Sequence, residues 1–124
     1  MFYLAIRYDM SGAEQLRVDL KQAHRNFLAS LGKGLLTGGA IFDDDGKIIG
    51  GSITFEAENM THARSIAQSD PYAQHPEICK STIVFPFRVR WHNGVFYDGD
   101  GFSITSEGER QGSACERVKT DAAK

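Results

Sequence analysis

The sequence predicts an α+β protein of ferredoxin-like order, β-α-β-β-α-β. Three observations carry that reading. Stretches rich in aromatic and β-branched residues read as strands at 2–8, 35–42, 47–57 and 79–91. The stretches 13–33 and 59–69 repeat apolar residues at helical spacing. A strong hairpin signal, Asp45-Gly46, joins the two middle strands.

In the first strand Phe2, Leu4, Ile6 and Tyr8 share one face, and Tyr3, Ala5 and Arg7 share the other. Both faces are partly apolar, so both are expected to lie against something. Arg7 is a cation near the end of that strand and suits either an edge salt bridge or anion binding. Asp9, Ser11 and Gly12 end the strand. In the first helix Leu16, Leu20, Phe27, Leu28 and Leu31 form one buried stripe. His24 falls inside that stripe, so it points toward the core, either as a satisfied core residue or as a functional one. Gly32 and Gly34 end the helix.

Gly38 and Gly39 loosen the second strand, which suggests a bulge or the close approach of a ligand or neighbouring helix. The turn Asp43-Asp44-Asp45-Gly46-Lys47 lacks the spacing and distal Glu of an EF-hand loop, which excludes calcium of that kind. Asn59 is the expected N-cap of the second helix, with Met60, Ala63, Ile66 and Ala67 on its apolar side. That helix stops at Gln68-Ser69-Asp70-Pro71-Tyr72. Pro71 forces Asp70 out of helical geometry. An aspartate at a helix C-terminus meets the negative end of the dipole and calls for a partner. His24 is the candidate, although Asp-Pro is also an ordinary helix stop. In the last long strand Ile83, Phe85, Phe87 and Val89 share a face, and Pro86 suggests an edge or a bulge.

Composition narrows the function classes. The chain has 124 residues, 41% hydrophobic and 24% charged, enough for one core. A net charge of −2 without a basic stripe speaks against nucleic acid. No run approaches membrane-spanning length, and the start Met1 to Arg7 does not read as a signal peptide. Cys79 and Cys115 are too scattered for a disulfide framework, so the cytoplasm is the expected location. His62, His75, Cys79 and His92 lack zinc-site spacing, and no phosphate-cradling glycine motif occurs. No metal and no cofactor are expected. Three parts follow: a domain over 1–91, a short extension over 92–105 with a possible strand from Phe102 to Thr105, and a polar tail over 106–124 with little to bury.

The Phe2-Tyr3-Leu4-Ala5-Ile6-Arg7 strand, His24 inside the first helix, Leu35-Leu36-Thr37-Gly38-Gly39 after it, and the turn Ser69-Asp70-Pro71-Tyr72 together resemble the YciI-like family over residues 1–91. The resemblance implies ferredoxin-like protomers joined as a dimeric α/β barrel, with a His–Asp pair in a cleft carried here by His24 and Asp70. The activity it implies is loss of HCl from a chlorinated hydroxyhydroquinone in aromatic degradation. Related dimeric barrels include muconolactone isomerases and small monooxygenases. The segment after Trp91 exceeds the family's usual length.

Histidine titrates near neutrality, and a carboxylate fixes its tautomer and holds its charged form. That chemistry suits proton transfer, and with the resemblance the expected protein is a cofactor-independent lyase acting on a small phenolic metabolite, with His24 and Asp70 as catalytic residues. Arg7 or an amide near Gly39 would steady a phenolate or the leaving anion. Tyr72 would donate a hydrogen bond or stack on a ring, or simply pack behind Pro71. A homodimer is expected from the two apolar faces of the first strand. An isomerase or cofactor-free monooxygenase on the same barrel, and a non-catalytic small-molecule-binding protein, are the alternatives.

Overall fold

The computed structural model describes residues 1–104 and the strand Ala114–Arg117. Strands β1 (Phe2–Asp9), β2 (Leu35–Phe42), β3 (Ile48–Glu56) and β4 (Cys79–Phe87) form an antiparallel sheet of order β2-β3-β1-β4. Helices α1 (Glu14–Asp19), α2 (Lys21–Ser30), α3 (Met60–Gln68) and the one-turn α4 (Pro71–Gln74) complete the ferredoxin-like frame. The fold is ferredoxin-like α+β, as the element order implies.

Local chemistry sets most boundaries. The β2–β3 turn closes on Asp43, whose carboxylate accepts from the N–H groups of Asp45 and Lys47, while Gly46 takes φ +83°. Asn59 caps α3 by accepting from the His62 N–H at 2.8 Å. The predicted first helix is divided instead of continuous. Leu20 sits at φ −102° and ψ 8° between α1 and α2. The hydrogen-bond ladder still crosses this bend, from Leu20 N–H to Leu16 C=O and from His24 N–H to Leu20 C=O. One stripe therefore stays on the sheet side through both pieces, with Leu16, Arg17, Leu20, His24, Phe27, Leu28 and Leu31 all at least partly buried.

The face of β1 carrying Tyr3, Ala5 and Arg7 is the covered one. Tyr3, Ala5, Phe55 and Ala57 of the sheet side pack with Ala63 and Ala67 of α3, whose small side chains let the helix approach closely. Ala13, Tyr72 and Ile78 make a second cluster with Leu16 and Leu20. The opposite face is barer. By register Leu4 lies beside Phe85 and Ile6 beside Ile83. Ile83 and Phe85 are each 44% exposed and Phe87 38%. Pro86 stands on β4, an edge strand, as its missing N–H requires.

Beyond β4 the chain adds β5 (Trp91–His92), β6 (Val95–Tyr97) and β7 (Ala114–Arg117), paired in that order. Asn93 and Gly94, both at positive φ, turn β5 into β6. The proposed strand from Phe102 to Thr105 does not form among the described residues. Phe102 instead inserts its ring into a cluster with Phe2, Val89, Val95 and Tyr97, covering one end of the barer face. Within the polar tail, Ala114–Arg117 pairs with β6 as a strand that local sequence did not predict; the rest of that reading lies outside the described residues.

Candidate functional site

The covered face of the sheet and the α1–α2 stripe enclose a cavity of about 680 Å³. Arg7, Arg17, Lys21, His24, Asp70 and Tyr72 supply polar groups to its wall, and Gly39, Gly50 and Gly51 supply bare backbone. The five residues expected from sequence to form the site therefore line one space: Arg7 from β1, His24 from α2, Gly39 from β2, and Asp70 and Tyr72 from the α3–α4 junction.

His24 Nδ1 lies 2.8 Å from Asp70 Oδ1. A carboxylate only accepts, so Nδ1 carries the proton toward Asp70 in the neutral imidazole. Nε2 is left with no protein partner among the described residues, on a side chain that lines the cavity. Tyr72 stacks on the imidazole with ring centroids 3.9 Å apart and planes within 5°. The ring therefore has its tautomer set by one neighbour and its plane by another.

The environment of Asp70 differs from the sequence expectation. Asp70 directly follows Ser69, the C-cap of α3, and it also starts the next helix. It is the N-cap of α4, with extended backbone (φ −66°, ψ 126°) and its Oδ1 accepting from the Tyr72 N–H at 2.9 Å. Pro71 occupies the first helical position, where its missing N–H costs nothing. The carboxylate is buried, at 7% residue exposure, and so is held by two donors on one oxygen while Oδ2 stands 3.7 Å from Arg7 Nη1.

The hydroxyl proton of Tyr72 is engaged by the protein. Its O–H donates to the Arg17 carbonyl at 2.8 Å, so its direct hydrogen bond goes to the protein, and its ring stacks on His24. Arg7 Cζ lies 5.0 Å from the Tyr72 ring centroid. Burial pushes the Tyr72 phenol above its ordinary value; Asp70 adds to that shift, and the nearby Arg7, Arg17 and Arg25 oppose it.

Arg7 makes a salt bridge, one of the two roles open to it in sequence. It holds Asp9 through two hydrogen bonds, Nε to Oδ1 at 2.6 Å and Nη2 to Oδ2 at 3.2 Å, and it also lines the cavity. Its partner across the sheet is Gly51. A Cβ at Gly51 would stand 3.2 Å from Arg7 Nη2 and 3.2 Å from the Gly39 carbonyl, so the missing side chain makes room for the guanidinium. Asp9 and Arg17 were not recognised from sequence. Asp9 has a fully buried side chain and also accepts from Arg17 Nη1 at 2.9 Å. Arg17 is 7% exposed. The available signal for Arg17 was its place in the helical stripe, three before Leu20 and seven before His24.

Among the described residues no group of three or more His, Cys, Asp or Glu is placed to hold a metal ion. No helix of the described residues is long and apolar enough to cross a membrane.

The fold and the site together define a class: a ferredoxin-like α+β protein with a partly buried histidine–carboxylate pair on the wall of a cavity between helices and sheet. Within that class the chain belongs to the YCII-related domain family, whose model matches residues 1–88. Its structure is similar to that of 5-chloro-2-hydroxyhydroquinone dehydrochlorinase from Burkholderia phenoliruptrix, solved in complex with 2,5-dihydroxybenzoquinone. The identity is 28% and the TM-score 0.63, over 72% of this chain and 95% of that one. A NIPSNAP domain protein from Burkholderia xenovorans aligns with a TM-score of 0.41 and 11% identity, over 75% of this chain and 100% of that one, too distant to carry an argument. No curated protein matches the chain.

Proposed function

We propose that this chain is a cofactor-independent lyase that removes HCl from a small chlorinated phenol of the hydroxyhydroquinone type, with His24 and Asp70 as its acid–base pair. The observation that carries the proposal is the His24 imidazole itself. Nδ1 is engaged by Asp70 at 2.8 Å, and Nε2 is unpartnered on a cavity wall. The similarity to a dehydrochlorinase supports the choice of reaction.

The chemistry asks for little more than a relay of protons. A hydroxyl of the ring loses a proton while the carbon bearing chlorine gains one, giving the keto form. A second hydroxyl then loses its proton as the carbon–chlorine bond breaks and chloride leaves with the bond pair. The sum is loss of HCl, with no external oxidant or reductant. Nε2 of His24 takes the first hydroxyl proton and returns it to carbon, then takes the second as chloride leaves and passes it to solvent, and Asp70 stabilises the imidazolium formed each time. Arg7 lies where its charge favours the phenolate and the departing chloride. Tyr72 acts by fixing the plane of the imidazole, and Gly39 contributes backbone to the wall.

The barer sheet face supports a second copy of the chain as its cover. The exposed side chains Ile83, Phe85 and Phe87 lie side by side on it, and no described segment of the chain lies over them.

The deciding experiment measures chloride, product and dissolved oxygen together, over a panel of chlorinated hydroquinones. The proposal expects one chloride per substrate consumed and no oxygen uptake. Oxygen consumption matched to turnover would assign a monooxygenase instead. Tight binding without any product, retained in His24→Ala, would make the chain a binding protein.

A further inference from the structure

Arg7 has two carboxylates within reach and grips only one. Its Nε and Nη2 hold both oxygens of Asp9, at 2.6 and 3.2 Å, whereas Nη1 stays 3.7 Å from Asp70 Oδ2. Asp9 also takes Arg17, and its side chain is fully buried. Among the described residues no other acidic side chain pairs with either arginine. We infer that Asp9 is a positioning residue that keeps Asp70 available to His24 by occupying the guanidinium that would otherwise claim it. The inference rests on the reading of His24 and Asp70 as the acid–base unit, and its test is read on the free protein without substrate.

Arg7 and His24 compete for one buried anion, Asp70. A guanidinium presents a planar fork that matches both oxygens of a carboxylate. A buried guanidinium that loses its partner is strongly unfavourable, so it moves to the nearest acceptor. For Arg7 that acceptor is Asp70, already within 4 Å on the side away from His24. Asp70 Oδ1 already carries the Tyr72 N–H and His24. A fork closing on both oxygens crowds the imidazole off, because the Tyr72 N–H is fixed by the backbone of α4 and cannot leave. The cavity would then hold a histidine whose tautomer nothing sets. Arg17 cannot substitute as competitor, since no contact joins its guanidinium to Asp70; its link to the pair runs through its carbonyl and the Tyr72 hydroxyl.

The test follows the imidazole nitrogens by long-range proton–nitrogen correlation spectra, at a pH of about 8 where an ordinary imidazole is neutral. His24→Gln assigns the His24 signals among the four histidines. The parent protein is expected to show Nδ1 protonated and Nε2 bare. In Asp9→Asn the Nδ1–H form should become the minor one. In Asp9→Asn/Arg7→Gln, which removes the competitor as well, it should return. In Asp9→Asn/Arg17→Gln, of equal net charge but retaining Arg7, it should not. If the single variant fails to fold, the two charge-matched double variants decide the matter. A parent-like tautomer in Asp9→Asn, or the same tautomer in both double variants, overturns the inference. A shift as expected in a protein that releases no chloride would refute the proposed reaction and leave the role of Asp9 standing.

Discussion

Removing the charge of Asp70 while keeping its shape gives the most discriminating perturbation of the proposed mechanism. In Asp70→Asn the side-chain oxygen can still accept from the Tyr72 N–H and from His24 Nδ1, so the α4 cap survives. What disappears is a unit negative charge 2.8 Å from the imidazole. At an effective dielectric of about 20 that charge is worth roughly 6 kcal/mol to an imidazolium, and in bulk water about 1.5 kcal/mol. At about 1.4 kcal/mol per decade the expected loss of kcat is about 10²–10⁴-fold, the usual range for general acid–base catalysis. His24→Ala should lose at least as much, and the double variant little more than either single one, because the two residues act as a unit. The assay is chloride release at saturating substrate with melting temperature measured in parallel. Near-parental turnover in folded His24→Ala refutes the reasoning, as does strict additivity of the two effects. If the pair is structural only, both variants lose stability while the remaining folded protein turns over normally.

Three further outcomes are expected. Tyr72→Phe removes the hydrogen bond to the Arg17 carbonyl and should cost about 0.5–1.5 kcal/mol at neutral pH. Because burial raises the phenol in the folded state, its stabilising contribution is complete below the unfolded value near 10 and is lost as pH rises through the higher folded value, so the variant's stability should fall less steeply in alkali, as read by denaturant midpoints. Ending the chain after Arg90 strips cover from Phe2 and Val89, at roughly 3–6 kcal/mol for the two, whereas ending it after Thr105 keeps that cluster and should lower the melting temperature only slightly; equal losses would show that the C-terminal strand carries the stability. Light scattering at micromolar concentration should report a dimer, and a stable monomer would mean that the barer sheet face is covered otherwise.

The elements legible in sequence were those fixed by neighbours along the chain. The alternation in β1, the Asp43–Lys47 turn and the Asn59 cap are local devices, and each appears where the residues put it. His24 was placed toward the sheet by helical spacing alone, and the stripe survived the bend at Leu20 because the hydrogen-bond ladder crosses it. Asp70 was expected to need a partner, and His24 stands 2.8 Å from it; what local sequence did not show is its second role as a cap. Pro71 follows the end of α3 and also opens α4, and the second role makes Asp70 a cap as well as the partner of His24. Asp9 looked like an ordinary strand terminator because its burial depends on Arg17, which lies on another element. Phe102 escaped for the same reason: its partner Phe2 stands at the other end of the chain, and no local pattern reports such a contact.

The backbone wall of the cavity has a consequence for how this protein can diverge. A Cβ at Gly50 would run into the Arg7 carbonyl, and one at Gly51 would press on the Arg7 guanidinium and the Gly39 carbonyl. Gly50 cannot acquire a side chain without moving the β1 backbone, and Gly51 only if its neighbours give by a few tenths of an ångström, so this part of the sheet wall resists gradual change. The helix wall has no such restriction. Val18, Lys21 and Arg25 line the same space from exposed positions and can be exchanged without disturbing the core. Altered ligand preference in a lineage sharing this site should therefore be written in α1 and α2, against a glycine floor that stays the same.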